Sequence, residues 1–172
     1  MREKLYQSSK TLAPLLGVFS FVALSTVAIS YFRDEYAVMR VGHTFMAMFF
    51  LTFGGFKVYN LSGFKEAFKM YDPVAKKNDF YATIYPFLEI GLGVAYITIL
   101  LGYLPGIELG VYLTTILLMG FNALGVLEAI LNGRDLKCAC LGNVFNVPMT
   151  TVTLVEDLGM VVMALWMLSG VL

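Results

Sequence analysis

Charge is what this chain has least of. Only 14% of its 172 residues are Asp, Glu, Lys or Arg, against about 25% in an ordinary soluble domain. Twelve basic and twelve acidic side chains cancel to zero net charge, which leaves no basic surface for nucleic acid. Two cysteines are too few for a disulfide scaffold. So little charge also excludes a disordered chain and a coiled coil, both of which need charged, solvated faces. There is one histidine, and no Ser-His-Asp set, no H-E-x-x-H and no phosphate-binding glycine loop stands in the sequence. What is present is apolar: 59% of residues are hydrophobic and the mean hydropathy is +0.77. A soluble protein of this size exposes too much surface to be this oily. The composition therefore points to an integral membrane protein, all-α, folded as one compact bundle in contact with the lipid bilayer.

A helix crosses the hydrocarbon core with about 20 apolar residues. Five stretches approach that length: Leu12 to Phe32, Val41 to Asn60, Phe80 to Leu101, Leu109 to Asn132 and Thr151 to Leu172. The expected architecture is a polytopic transmembrane bundle of about five spans. Residues 1–40 form an N-terminal helix and loop, and 41–172 a four-helix core. Basic residues precede the first stretch, as in a signal peptide, but its apolar core is too long and no A-x-A site follows. Between the second and third spans, Phe64, Ala67, Phe68 and Tyr71 recur at helical spacing with Lys65, Glu66 and Lys69 on other faces. That pattern predicts a short interfacial amphipathic helix on the membrane surface, ended by Asp72-Pro73.

Lys and Arg mark the cytoplasmic side. With five spans, Arg2, Lys4, Lys10, Lys57, Lys65, Lys69, Lys76, Lys77, Arg134 and Lys137 share one side, and only Arg33 and Arg40 face the other. The N-terminus and the loop after the fourth span are therefore expected in the cytoplasm, and the C-terminus outside.

This orientation gathers the intramembrane charges. Glu89, Glu128, Glu156, Asp157 and Lys57 all fall in the inner half, beside the loop that carries Cys138 and Cys140. Ionisable groups in a span are costly and turn to the bundle interior or a wet cavity. The four acids are candidate proton-relay groups; the plainer reading makes Glu128, Glu156 and Asp157 interfacial residues and Glu89 a hydrogen-bond partner of Tyr85, one turn away. Gly91 with Ala95, and Gly125 with Ala129, have the small-xxx-small spacing of close helix packing. Met160, Met163 and Met167 form a stripe, which packs or binds Cu(I). His43 lies at the outer end of the second span, far from the cysteines, and is expected at the interface.

Cys138 and Cys140 are the sharpest chemical feature. Two thiolates one residue apart bind a soft ion such as Cu(I) or Zn(II), exchange disulfides with a partner or a quinone, or stay inert. Arg134 and Lys137 favour the thiolate.

At these residues the chain resembles a known family. Cys138-Ala139-Cys140-Leu141-Gly142, then Pro148-Met149-Thr150 and Val152 to Met160 with Glu156-Asp157, are similar to the MauE-type methylamine-utilisation membrane proteins, grouped with DoxX-like redox-associated proteins. Tyr71-Asp72-Pro73-Val74-Ala75-Lys76 and Tyr85-Pro86-Phe87-Leu88-Glu89 are also similar. The resemblance covers roughly residues 40 to 172 and leaves the first span as an added helix. It implies a small helical bundle in a bacterial inner membrane, acting as a redox or maturation accessory with a thiol-redox partner. Heavy-metal handling with a metal-donor protein is the alternative it implies, and a structural subunit with inert thiols the third. The founding member is tied to maturation of methylamine dehydrogenase, a disulfide-rich periplasmic enzyme. That role wants thiols outside, whereas the basic residues place them inside.

Overall fold

A computed structural model describes residues 2–34, 36–132 and 151–171. These residues form α1 (Arg2–Phe32), α2 (Val38–Tyr59), α3 (Leu61–Tyr71), α4 (Asp79–Leu101), α5 (Glu108–Leu131) and α6 (Thr151–Ser169). Among the described residues there is no strand. Four helices are long and apolar enough to cross a membrane: α1 from Ala13, α2, α4 and α5. With 19 residues, α6 is about 28 Å long, close to the thickness of the hydrocarbon core. The protein is a multi-pass helical bundle. Its helices begin earlier than the apolar runs suggest: α1 extends back to Arg2 and α2 to Val38, because backbone hydrogen bonding continues into the polar flanks.

The turns explain where helices stop. Asn60 closes α2 and its side chain accepts from the Gly63 N–H at 3.2 Å, so one residue ends α2 and starts α3. Asn78 caps α4 by accepting from the N–H groups of Phe80 (3.0 Å) and Tyr81 (3.2 Å). Such caps satisfy N–H groups that the helix itself leaves free. Gly102 ends α4 in the left-handed region at φ 69°, with its N–H on the Ile99 carbonyl, a conformation that favours glycine.

Helix α2 is the hub, packed against α1, α3, α4 and α6. It runs antiparallel to α4, and the two backbones come close where side chains are absent. A Cβ on Gly54 meets the Ile90 N and the Pro86 carbonyl oxygen at 3.3 Å; a Cβ on Gly93 meets the Leu51 N at 3.1 Å. The expectation for Gly91 is overturned: a Cβ there has nothing within 4 Å, so the close approach lies one face away, at Gly93. Gly125 does pack: a Cβ there meets the Tyr71 carbonyl oxygen at 3.4 Å, where the end of α3 crosses α5. Helix α6 is antiparallel to α2 and α5: Asp157 near its start reaches Asn122, and Met167 near its end lies against Gly42. Of the methionine stripe, Met160 and Met167 are buried in the core and Met163 packs against it.

The interior is aromatic. Phe49 stacks on Phe53 with ring centroids 4.4 Å apart, and Phe19 of α1 meets Phe53 at 5.5 Å. Outward faces carry Leu24, Val27, Leu117, Leu124, Val162 and Leu165, all exposed, as a lipid-facing surface requires. Helix α3 is the amphipathic segment foreseen, and it buries Phe64, Ala67, Phe68 and Tyr71 against the protein's own α2, α4 and α5, closing one end of the bundle.

Replacing Gly54 by Leu forces this contact apart and is expected to lower stability by about 1–3 kcal/mol. Gly91→Ala meets open space and is expected to be neutral or stabilising by up to about 1 kcal/mol. Thermal unfolding in detergent distinguishes the two sites; equal losses at both would contradict the packing.

Candidate functional site

Under the α3 lid lies a cluster of buried charge. Lys57, in the last turn of α2, makes an ion pair with Glu89 of α4. Both are almost fully buried, at 7% and 1% exposure. The Lys57 ammonium sits 5.3 Å from the ring centre of Tyr85 and 5.6 Å from that of Phe64, so aromatic faces replace part of its water. Glu156 and Asp157, at the start of α6, are buried at 7% and 6% exposure and line the same small cavity as Lys57, Glu89, Tyr71, Tyr85 and Asn122. Asn122 donates from Nδ2 to Asp157 at 2.7 Å.

Local sequence explains the arrangement. Gly54, one turn before Lys57, lets α2 approach α4 near Glu89, and Pro86 removes one N–H from the α4 ladder at that level. The apolar face of α3 shields the pair from the lipid and headgroup side. Asp72, directly after α3, fixes the following turn by accepting from the N–H groups of Val74 (2.9 Å) and Ala75 (2.7 Å). Burial pushes the Asp72 carboxyl above its ordinary value, against the pull of those two bonds and of Lys76. Burial, with Asp157, Glu89 and Asp72 adding, holds the Tyr71 phenol far above its usual range, so it stays a neutral donor.

Of the acids singled out in the sequence, Glu89, Glu156 and Asp157 converge. Glu128 does not: it is exposed on α5 and lines none of this cavity. The Tyr85–Glu89 hydrogen bond is not formed; Glu89 turns to Lys57, and the Tyr85 hydroxyl has no partner among the described residues. Glu156 and Asp157 are not open to water, because α6 packs along α5 and carries them inside the bundle. Cys138 and Cys140 lie outside the described residues. Among the described residues no three His, Cys, Asp or Glu side chains converge as metal ligands.

Sequence reasoning saw Lys57 as a member of the charged inner half but gave it no role. Its signal was a lysine inside an otherwise uncharged span, which needs a counter-ion. A second polar cluster, around His43, was not foreseen, although His43 itself was noted. His43 is buried within the bundle: its Nε2 lies 2.6 Å from the Tyr112 hydroxyl, and its ring stacks on Tyr112 at 5.8 Å. Beside it the hydroxyls of Tyr96 and Thr115 are 3.1 Å apart. These groups lie toward the other end of the same interior, with Phe50 stacked on Tyr96.

Two outcomes follow. A double-mutant cycle of Lys57→Met and Glu89→Gln is expected to give a coupling of about 1–3 kcal/mol in detergent unfolding, whereas Lys57→Met with Glu128→Gln couples by near zero. For Asp72, the folded state holds its proton more tightly than the unfolded chain. It therefore contributes stability that is complete below the ordinary value of 3.8 and is lost as pH rises through its raised folded value. Asp72→Asn keeps the Oδ1 acceptor and cannot ionise, so its stability relative to the parent is expected to rise with pH across that window. A pH-independent difference would contradict the burial of this carboxyl.

A family model described as methylamine utilisation protein MauE matches residues 34–170, from just after α1 to the end of α6. No curated protein and no solved structure matches the chain. Four apolar helices long enough to cross a bilayer, and a family match over most of the sequence, agree: the chain belongs to the MauE family of methylamine utilisation membrane proteins.

Proposed function

We propose that this protein is a redox or maturation accessory of the bacterial inner membrane, in which Cys138 and Cys140 exchange a disulfide with a partner protein. One observation carries the reading beyond family membership. The connection bearing the two cysteines starts after α5 and ends at α6, and these two helices supply Asn122, Glu156 and Asp157 to the buried cluster. The connection is thus anchored at the end of the bundle where the acids lie. In the exchange, one thiolate attacks the partner disulfide and forms a mixed disulfide. The second thiolate displaces the partner, whose two sulfurs gain the two electrons and the two protons that the pair gives up. Glu156 and Asp157 are proton-relay groups, with Glu89 behind them; Glu128, on the exposed face of α5 and outside this cavity, has no part in the relay. The excess of Lys and Arg at the α3 end supports a cytoplasmic N-terminus and cytoplasmic thiols, and so a partner with a reducible disulfide on that side.

The test is trapping. Cys140→Ser and Cys138→Ser, each alone, are expected to accumulate a mixed disulfide with a partner on non-reducing gels, and the double variant none. An impermeant maleimide is expected to label the thiols in inverted vesicles and not in intact cells. Labelling of intact cells only after reduction overturns the orientation. No trapped partner, together with stoichiometric Cu(I) or Zn(II) lost in the double serine variant, replaces exchange by metal handling.

A further inference from the structure

We propose that the buried cluster is a proton-binding site: with Lys57 charged, it holds two protons shared among the carboxyl groups of Glu89, Glu156 and Asp157, and one water in the cavity between them. Three carboxyls and one ammonium share one cavity, all nine-tenths or more buried. Fully ionised, they leave two uncompensated negative charges in an apolar bundle, and a buried charge without a partner neutralises by taking up a proton. Two protons balance the account; one or three do not.

The described groups facing the cluster agree with this count. From α2 comes Lys57, from α4 Glu89 with the Tyr85 hydroxyl, from α6 Glu156 and Asp157, and from α5 the uncharged Asn122. From the α3 side Tyr71 lines the cavity, with Asp72 and Tyr81 beyond it. Among the described residues no second cation lines the cavity.

Hydrogen bonding points the same way. Tyr85 Oη, Glu89 Oε2, Asn122 Oδ1 and Glu156 Oε2 are buried without a partner among the described residues, and all four side chains line the cavity. Its volume is about 10 Å³, the room one water needs and too small for a hydrated ion. One water satisfies the set only if donors and acceptors match. It donates to Glu89 and to Asn122 Oδ1, and accepts from Tyr85 and from Glu156. The last bond requires Glu156 to carry a proton. An alkylammonium finds no room here either, because the Lys57 ammonium already occupies the aromatic cage.

The use of these protons in thiol chemistry rests on the function proposed above; their presence does not. The experiment is infrared spectroscopy of the full chain in lipid nanodiscs at neutral pH, reading the carbonyl stretch of protonated carboxyl groups, with Asp72→Asn as the background protein. The expected intensity corresponds to two groups. Because total charge sets the count, Glu89→Gln, Glu156→Gln and Asp157→Asn are each expected to remove about half of it, and Lys57→Met to add about half. The double cysteine variant leaves it unchanged, which separates this site from the exchange reaction. Absence of the band in the parent protein overturns the proposal, as does a band that falls when sodium or potassium replaces choline in the buffer. A band removed by one acid variant and untouched by the others shows a single protonated residue and overturns the shared store. Should the variants fail to fold, the parent protein's band and its response to cations still decide.

Discussion

An ammonium and a carboxylate cannot be left in hydrocarbon, and the Lys57–Glu89 pair imposes that constraint on everything around it. Removing two charges from water costs several kcal/mol per ion even after relaxation, so the pair persists only where its surroundings compensate. Gly54 lets α2 and α4 approach. Tyr85 and Phe64 place their ring faces on the ammonium. Helix α3 folds its apolar side over the pair, and its return turn is held by Asp72. The fold of this end of the bundle follows from keeping one buried pair away from lipid.

Three acids where one cation stands is a different matter from structural pairing. A bundle selected only for stability would place apolar side chains at Glu156 and Asp157, since replacing buried ionic groups by well-packed hydrophobic ones is often neutral or stabilising. Their burial inside, on the helix that follows the cysteine connection, is the feature on which the proposed proton site rests. The interior is polar at both ends and aromatic between: charged under α3, and hydrogen-bonded around His43, Tyr112, Tyr96 and Thr115, with Phe49, Phe50 and Phe53 separating the two. The family match begins beyond α1, and among the described residues that helix makes its contacts on α2. Every side chain of the charged cluster therefore comes from the matched part.

The sequence by itself determined the environment and the elements. Long uncharged runs specify helices in lipid, because no other open structure satisfies its backbone there, and α3 was legible from Phe64, Ala67, Phe68 and Tyr71 at helical spacing. That Glu89 needed a special environment was legible too, from its depth in a span. The family was readable from the motifs around Cys138 and Glu89. What tertiary structure alone decided is which face meets which. Spacing cannot tell Gly91 from Gly93, two residues apart and on different faces. It cannot tell whether the apolar side of α3 lies on lipid or on α5, since both are equally apolar. It placed Glu128 with the other acids, because depth along a helix is legible while rotation about its axis is set by packing. Lys57 meets Glu89, and His43 meets Tyr112, only because helices distant in sequence lie side by side, and the free energy that brings them together is spread over the whole bundle rather than written in either segment.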